Sequence, residues 1–360
     1  MTSQQSDLLK DPLFQLNALL WATQPLPKES TIRPFLYEKG FAVYAIAPLF
    51  GVPPDLRLLA QQESIKIQDG VRPDVVLAQE ILRKFALCEC KASSFGLESS
   101  TSEQARSLLL MTGSRTAEVL ALTPEEVSES LLAFLIPQSD IEPLTNTITS
   151  LREELNNHKL SPGRVSFLGL LRTDNDVSVV IDSEGSKFFA LPMGPIRFLI
   201  REPDTDPRPL YFIPYDPDVE QSEQERLLCR RILFERIQST IIVAIGHADS
   251  PCKLVLESNK MLNDAMFGMY EHLENSNSKR HMRRLCREFM ESLTAAVNSV
   301  VQGAISFEPG TGWKFSVLDE QCHQRILDAL TRFSPDALKL QDQPQPSFFD
   351  QWEDTQQTSS

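Results

Sequence analysis

Apolar and polar positions alternate in three different rhythms along the chain. Leu8, Leu9, Leu13, Phe14, Leu16, Leu19, Leu20 and Trp21 recur at helical spacing, and Pro25 and Pro27 end the run. The segment 31–40 predicts a short helix stopped by Gly40. Residues 41–49 read as a strand, 56–61 as a helical turn and 64–68 as an edge strand or hairpin arm. Two apolar runs, 74–78 and 85–91, predict adjacent buried strands. A helix follows from Thr101 or Ser102 to Met111. Thr123, Pro124 and Glu126 form a capping box that predicts a second helix running towards Phe134. Leu144, Ile148, Leu151 and Leu155 predict a third over 142–158.

The rhythm changes near Ser161-Pro162-Gly163. Short β-like runs at 165–171, 177–181, 187–191, 196–200 and 210–213 predict a small antiparallel sheet, either a separate unit or the far side of the first. From Glu220 helical periodicity returns over 223–237, 260–274, 279–301 and 320–333. Short strands are predicted at 241–245, 253–256, 304–307 and 313–317. The resulting expectation is an α/β chain. Residues 1–160 form a mixed sheet flanked by helices, 161–218 a β-rich segment, 219–340 a mostly helical α+β domain, and 341–360 a disordered acidic tail. That tail has four acids, no Lys or Arg, and Phe348, Phe349 and Trp352 inside its acidic frame. It reads as a solubilising tail or as a short motif that docks on a partner.

Composition narrows the classes. At 360 residues with 41% hydrophobic and 23% charged positions, the chain has the make-up of an ordinary globular protein. No apolar run approaches the roughly 18 residues that span a bilayer. The first residues lack the pattern of a signal peptide, so a cytoplasmic location and no membrane partner are expected. The six cysteines form no Cys-x-x-Cys pair and the five histidines do not cluster beside them, which disfavours structural zinc and a disulfide framework. A net charge of −14 argues against nonspecific coating of nucleic acid, but not against a nuclease with a local basic surface. Walker, nucleophile-elbow and dinucleotide glycine patterns are absent from the sequence, so any energy-driven step requires another subunit.

The candidate chemistry lies on the two central strands. Side chains alternate along a strand, so Phe85, Leu87, Glu89 and Lys91 share one face and Ala86, Cys88 and Cys90 the other. Glu89 and Lys91 therefore point together where the strand leaves its core. Asp74 on the neighbouring strand and Glu89 can supply hard oxygens to Mg²⁺, with the main-chain carbonyl of Cys90 as a third donor. Lys91 can orient water or stabilise developing charge. Plainer roles exist for each: Asp74 as a turn residue after Pro73, and Glu89 and Lys91 as a solvated edge pair.

Pro73-Asp74, fourteen intervening residues and then Glu89-Cys90-Lys91 resemble the PD-(D/E)xK nuclease superfamily. Five Pro-Asp pairs occur, at 54–55, 73–74, 203–204, 217–218 and 335–336, but only the second is followed at suitable distance by such a strand. The resemblance covers roughly residues 30–135. It implies a restriction-endonuclease-like mixed sheet flanked by helices, and Mg²⁺- or Mn²⁺-dependent hydrolysis of DNA. It also implies an acid on a preceding helix, for which Glu38 is the candidate, and a polar residue on the next helix. Gln104 fits the latter, although Thr101-x-x-Gln104 also reads as a capping box. By the same resemblance, bacterial restriction, antiviral defence or mobile-element processing is implied, with a helicase or ATPase subunit as partner. A different class stands beside it: a non-catalytic interaction subunit on the same fold. The remaining concentration of charge is Lys279, Arg280, Arg283, Arg284 and Arg287 at the start of a helix. It can contact phosphates or an acidic partner, or be neutralised by Glu271, Glu274 and Glu288.

Overall fold

The computed structural model describes residues 8–26, 30–173, 176–200 and 206–334. The expected tail at 341–360 lies outside the described residues. The chain begins with α1 (Pro12–Thr23), then β1 (Ala42–Ile46), β2 (Phe50–Gly51), α2 (Pro54–Gln62), β3 (Gly70–Val71), β4 (Val75–Gln79), β5 (Lys84–Cys90) and α3 (Ser100–Met111). It continues with α4 (Thr116–Val119), β6 (Glu129–Pro137), α5 (Ile141–Asn157), β7 (Val165–Arg172), β8 (Asp176–Ile181), α6 (Ser183–Phe189) and β9 (Gly194–Ile200). The last part holds α7 (Glu223–Gly246), β10 (Cys252–Leu256), α8 (Ser258–Ala265), α9 (Met269–His272), α10 (Ser276–Val300), β11 (Ile305–Glu308), β12 (Gly312–Val317) and α11 (Glu320–Arg332).

The architecture is mixed α/β. One seven-stranded sheet runs in the order β1-β4-β5-β6-β7-β8-β9. β6 pairs parallel with β5 and with β7, and the other neighbours pair antiparallel. Parallel pairs need crossovers; α3 lies on the first and α5 supplies the second. The strands at 165–200 thus complete the same sheet rather than forming one of their own.

Strand alternation sorts the core into two faces. Phe85, Leu87, Val76 and Ala78 pack with Leu108, Leu109, Leu144 and Leu151 of α3 and α5. Ala86, Cys88, Val75 and Leu77 pack on the other face with Phe14, Leu20 and Trp21 of α1 and with the C-terminal helices. α1 is consequently buried all round, from Leu13 to Thr23. Asn17 and Gln15, on this helix, bond to distant parts of the chain. Asn17 donates to the Ile213 carbonyl and accepts from the Ile213 N–H, both at 3.0 Å.

Several expected elements take another form. Thr123 and Glu126 do make both halves of the capping box, but around a single turn of 3₁₀ helix over Pro124–Glu126. The chain then extends as β6, because Ser130–Pro137 is buried on both faces of the sheet. The run 241–245 is the last part of α7, with Ile237, Ile241 and Ile245 buried at four-residue spacing. The run 187–191 belongs mainly to α6, capped by Asp182, whose carboxylate accepts from the Gly185 N–H. The 31–40 segment forms only a 3₁₀ turn over Tyr37–Lys39, closed by Gly40 at φ +79°. Residues 64–68 form no strand, and the local hairpin pairs Phe50 with Val71 instead. The helix expected at 260–274 breaks into α8 and α9 at Gly268, where φ is +87°. Residues 210–213 form no strand either.

Candidate active site

The pairing of β4 with β5 sets the geometry. Val75 faces Cys88 and Val76 faces Leu87 in the antiparallel register. One further step places Asp74, just before β4, opposite Glu89 near the end of β5. The Asp74 Oδ2 accepts from the Cys90 main-chain N–H at 2.6 Å, so its carboxylate lies against the Cys90 backbone. Lys91 folds back, and its Nζ donates to Glu89 Oε2 at 2.6 Å. Gln104 in the second turn of α3 donates to both Glu89 oxygens, at 3.3 and 3.4 Å. The α3 N-cap is Ser99, which accepts from the Ser102 N–H. Gln104 is therefore no capping-box residue; its amide is spent on Glu89.

Burial makes this a strained electrostatic group. Glu89 is 1% exposed. Burial raises its carboxyl to about 7; Lys91 pulls it down and the charge of Asp74 pushes it up. Burial also raises Asp74, opposed by Lys91 and the Cys90 N–H. Desolvation acts to lower Lys91, but Glu89 and Asp74 outweigh it and the ammonium sits above its ordinary value. Lys91 stays charged, and Glu89 can exchange a proton near neutrality. Cys88 and Cys90 are raised by burial, and both thiols stay protonated and inert at neutral pH.

Further side chains surround the cluster. Gln15 of α1 donates to the Lys91 carbonyl at 2.9 Å and to the Leu9 carbonyl at 2.6 Å. It fixes the backbone where β5 ends. Asp216 is 6% exposed; burial raises its carboxyl to about 6, and Asp74 is among the charges it feels. Its neighbour Asp218 pairs with Arg72 at 3.7 Å. Ser278 of α10 donates to Asp216 at 3.1 Å and to Asp218 at 2.9 Å. The sequence carried signals for some of these. A Gln and an Asn interrupt an otherwise apolar helix, and Asp218 stands in one of the Pro-Asp pairs. That Gln15 reaches Lys91 and Asp216 feels the charge of Asp74 depends on long-range folding.

Glu38 is not brought to this cluster. It pairs with Arg33 at 2.9 Å on the surface. The adjoining Lys39 carbonyl accepts from Gln79, at the far end of β4, about 16 Å from Asp74 at about 3.3 Å per residue. Two clefts of about 680 Å³ also lie away from the cluster. One, with Gly113, Ser130 and Gly163, opens at the start of β6; the other holds Arg33 and Glu38. Among the proposed basic residues, Arg284 pairs with Glu288 at 3.6 Å, Lys279 stands over the Tyr270 ring, and Arg287 over Phe307. Arg280 is exposed and Arg283 half-buried.

Among the described residues, no group of three or more His, Cys, Asp or Glu side chains is arranged to hold a metal. Mg²⁺, however, is commonly held by one or two carboxylates together with substrate phosphates and water. Two carboxylates opposed across the strand pair, Glu89 buried and Asp74 partly so, with the Asp74 charge raising the proton affinity of Glu89, suit a hard cation of that kind. Among the described residues no helix is long and apolar enough to cross a membrane. No family model, curated protein or solved structure matches the chain.

Proposed function

We propose that the chain is a metal-dependent DNA nuclease of the PD-(D/E)xK type, built on a restriction-endonuclease-like core. The observation that carries the reading is the β4–β5 register, which opposes Asp74 to Glu89 while Lys91 and Gln104 both bond to Glu89. Asp74, Glu89 and the Cys90 carbonyl would hold Mg²⁺ or Mn²⁺. When bound, that ion supplies charge neutralisation at the scissile phosphate and eases ionisation of a water.

The remaining roles belong to the chain itself. Lys91 Nζ offers donors to the attacking water or to the charge that develops on the phosphoryl oxygens. Glu89, raised to about 7 in the metal-free chain, must shed its proton to coordinate the ion. Gln104 fixes the orientation of the Glu89 carboxylate, and Gln15 fixes the Lys91 main chain. Restriction, antiviral defence or mobile-element processing in bacteria is the biological setting that goes with this reading.

The second reading is an interaction subunit on the same fold. The closed 2.6 Å Glu89–Lys91 pair and the net charge of −14 favour it. A helicase or ATPase partner that delivers DNA accommodates both readings. The test is cleavage of plasmid and linear DNA with Mg²⁺ or Mn²⁺ by wild type, Asp74→Ala and Lys91→Ala. Each substitution is expected to lower the rate about 100-fold or more. Equal cleavage by all three removes the site. Cleavage seen only with a copurified protein supports a partner-loaded nuclease.

A further inference from the structure

The junction between α9 and α10 reaches back to the strands that carry Asp74. Ile46, the last residue of β1, bridges to Leu273, and the Glu274 N–H donates to the Ile46 carbonyl at 2.8 Å. Ile46 pairs with Val75, and the next residue, Ala47, gives its N–H to the Asp74 carbonyl at 2.9 Å. Ala47 stands at φ +51°, a left-handed conformation that costs an alanine energy and persists only where its surroundings fix it. The grip of Glu274 on the Ile46 carbonyl supplies part of that fixing. A single strand thus links the Asp74 main chain to the C-terminal region.

A second route runs through side chains. Asn275 caps α10, accepting from the N–H groups of Asn277 and Ser278, and its amide donates to Asp218. The Ser278 hydroxyl donates to Asp216 at 3.1 Å and to Asp218 at 2.9 Å. Asp216, Pro217 and Asp218 close into a bracket. Pro217 has no N–H, and the Asp218 N–H that follows it donates to the Asp216 carboxylate at 3.0 Å. Asp218 then meets Arg72 at 3.7 Å. Both partners are partly exposed, and a pair of that kind adds little to stability. Its effect is on direction. Pro73 locks its own φ at about −65° and biases Arg72 to extended backbone. Arg72 and Pro73 therefore make a stiff two-residue lead into Asp74, and whatever holds Arg72 limits where Asp74 can lie.

We infer that the start of α10 and the Asp216-Pro217-Asp218 bracket position Asp74, so that the C-terminal region sets the place of a metal-binding carboxylate in the sheet. Asp218 and Arg72 act as positioning residues. The Pro-Asp pair at 217–218 thus steers the one at 73–74. The metal-binding role of Asp74 rests on the nuclease reading; the positioning of its side chain does not. The structure supplies a reporter of that position. Asp74 Oδ2 accepts from the Cys90 N–H at 2.6 Å, and a shift of the carboxylate by about 1 Å would break the bond.

The amide resonance of Cys90, in the full chain isotope-labelled on cysteine and free of metal, tests the inference, with Asp74→Ala as the reference for a lost bond. Asp218→Ala, Arg72→Ala and Arg72→Lys are compared with wild type and with Arg57→Ala, which removes a surface pair of similar length, 3.6 Å to Asp69. Asn275→Asp keeps a good α10 cap but sets two carboxylates against each other. Circular dichroism melts verify folding. Asp218→Ala, Arg72→Ala and Asn275→Asp are expected to carry the Cys90 resonance more than halfway to its position in Asp74→Ala. They should also lower kcat for DNA cleavage about 10-fold or more, with KM within about twofold of wild type. Arg72→Lys should lie nearer wild type than Arg72→Ala in both readouts, and Arg57→Ala should match wild type. A Cys90 resonance unmoved in Asp218→Ala and Arg72→Ala overturns the inference, as does a loss of cleavage in these variants with that resonance in place. If the resonance moves as expected but wild type cuts nothing, the nuclease reading falls and the positioning stands. If wild type cuts and the resonance stays, the positioning falls and the nuclease stands.

Discussion

Glu89 carries its carboxyl between the Lys91 ammonium and the Gln104 amide, almost wholly out of water. A carboxyl raised from 4.5 to about 7 on folding holds its proton more tightly in the folded chain than in the unfolded one. Its stabilising share is complete below about pH 4.5 and is lost as pH rises through about 7. At about 1.4 kcal/mol per pKa unit the loss is on the order of 3–4 kcal/mol. Asp216, raised to about 6, adds a loss of the same sign. Glu89→Gln is therefore expected to flatten the fall of melting temperature between pH 4.5 and 7.5 in metal-free buffer, leaving the parts due to Asp216 and to Asp74, which burial also raises. An unchanged slope would show that Glu89 does not ionise in this window. The residues of this cluster were legible to different degrees. Glu89 and Lys91 share a strand, and two-residue alternation is local, so their common face could be read from spacing. Asp74 needed only the neighbouring strand. Glu38 needed the direction in which β1 and β4 run, and antiparallel pairing carries it to the wrong end. Asp216 arrives from beyond the last strand of the sheet, and no local pattern announces that.

Among the elements, β6 shows why a correct local signal can mislead. The Thr123–Glu126 box forms as its residues require, but the same box closes one 3₁₀ turn as readily as it starts a long helix. The decision belongs to Leu131–Ile136. Each of these six side chains is buried, and they divide between the two faces of the sheet. A helix would present them around a full circle, with a single layer to cover them. The same competition turned 241–245, β-branched and strand-like in isolation, into the end of α7. Where periodicity spans a long segment, as in α5 and α10, the sequence reading and the structure agree within a few residues. Burial should accordingly govern stability around β6. Leu132→Ala, at a fully buried position, is expected to cost about 2–5 kcal/mol in urea unfolding. Glu126→Ala, on the exposed turn, should leave the midpoint almost unmoved. A larger loss from the turn than from the strand would mean that the cap, and not the core, organises this crossover.

At the scale of the whole molecule, the sheet has two covered faces with different occupants. α3 and α5 cover one, and their core is confined to residues 45–167. The other face is covered by α1, by α6 and by the C-terminal helices, and its core runs without a break from Leu13 to Leu330. Trp21 illustrates the continuity. It is fully buried, lies 5.7 Å from the Tyr211 ring, and its indole N–H donates to the Leu210 carbonyl. Tyr211 in turn accepts from Arg236 of α7 through its carbonyl. A shared apolar interface of this kind couples the regions on either side of residue 218, whereas small polar interfaces let regions unfold separately. Differential scanning calorimetry of the full chain is expected to show one transition. A chain ending at residue 218 would lose α7, α8 and α10, whose apolar side chains share the core on this face of the sheet, and should lose cooperative melting and bind a hydrophobic dye. Two well-separated transitions, or a residue 1–218 chain that melts cooperatively and cuts DNA with full affinity, would show that the C-terminal region is an independent appendage.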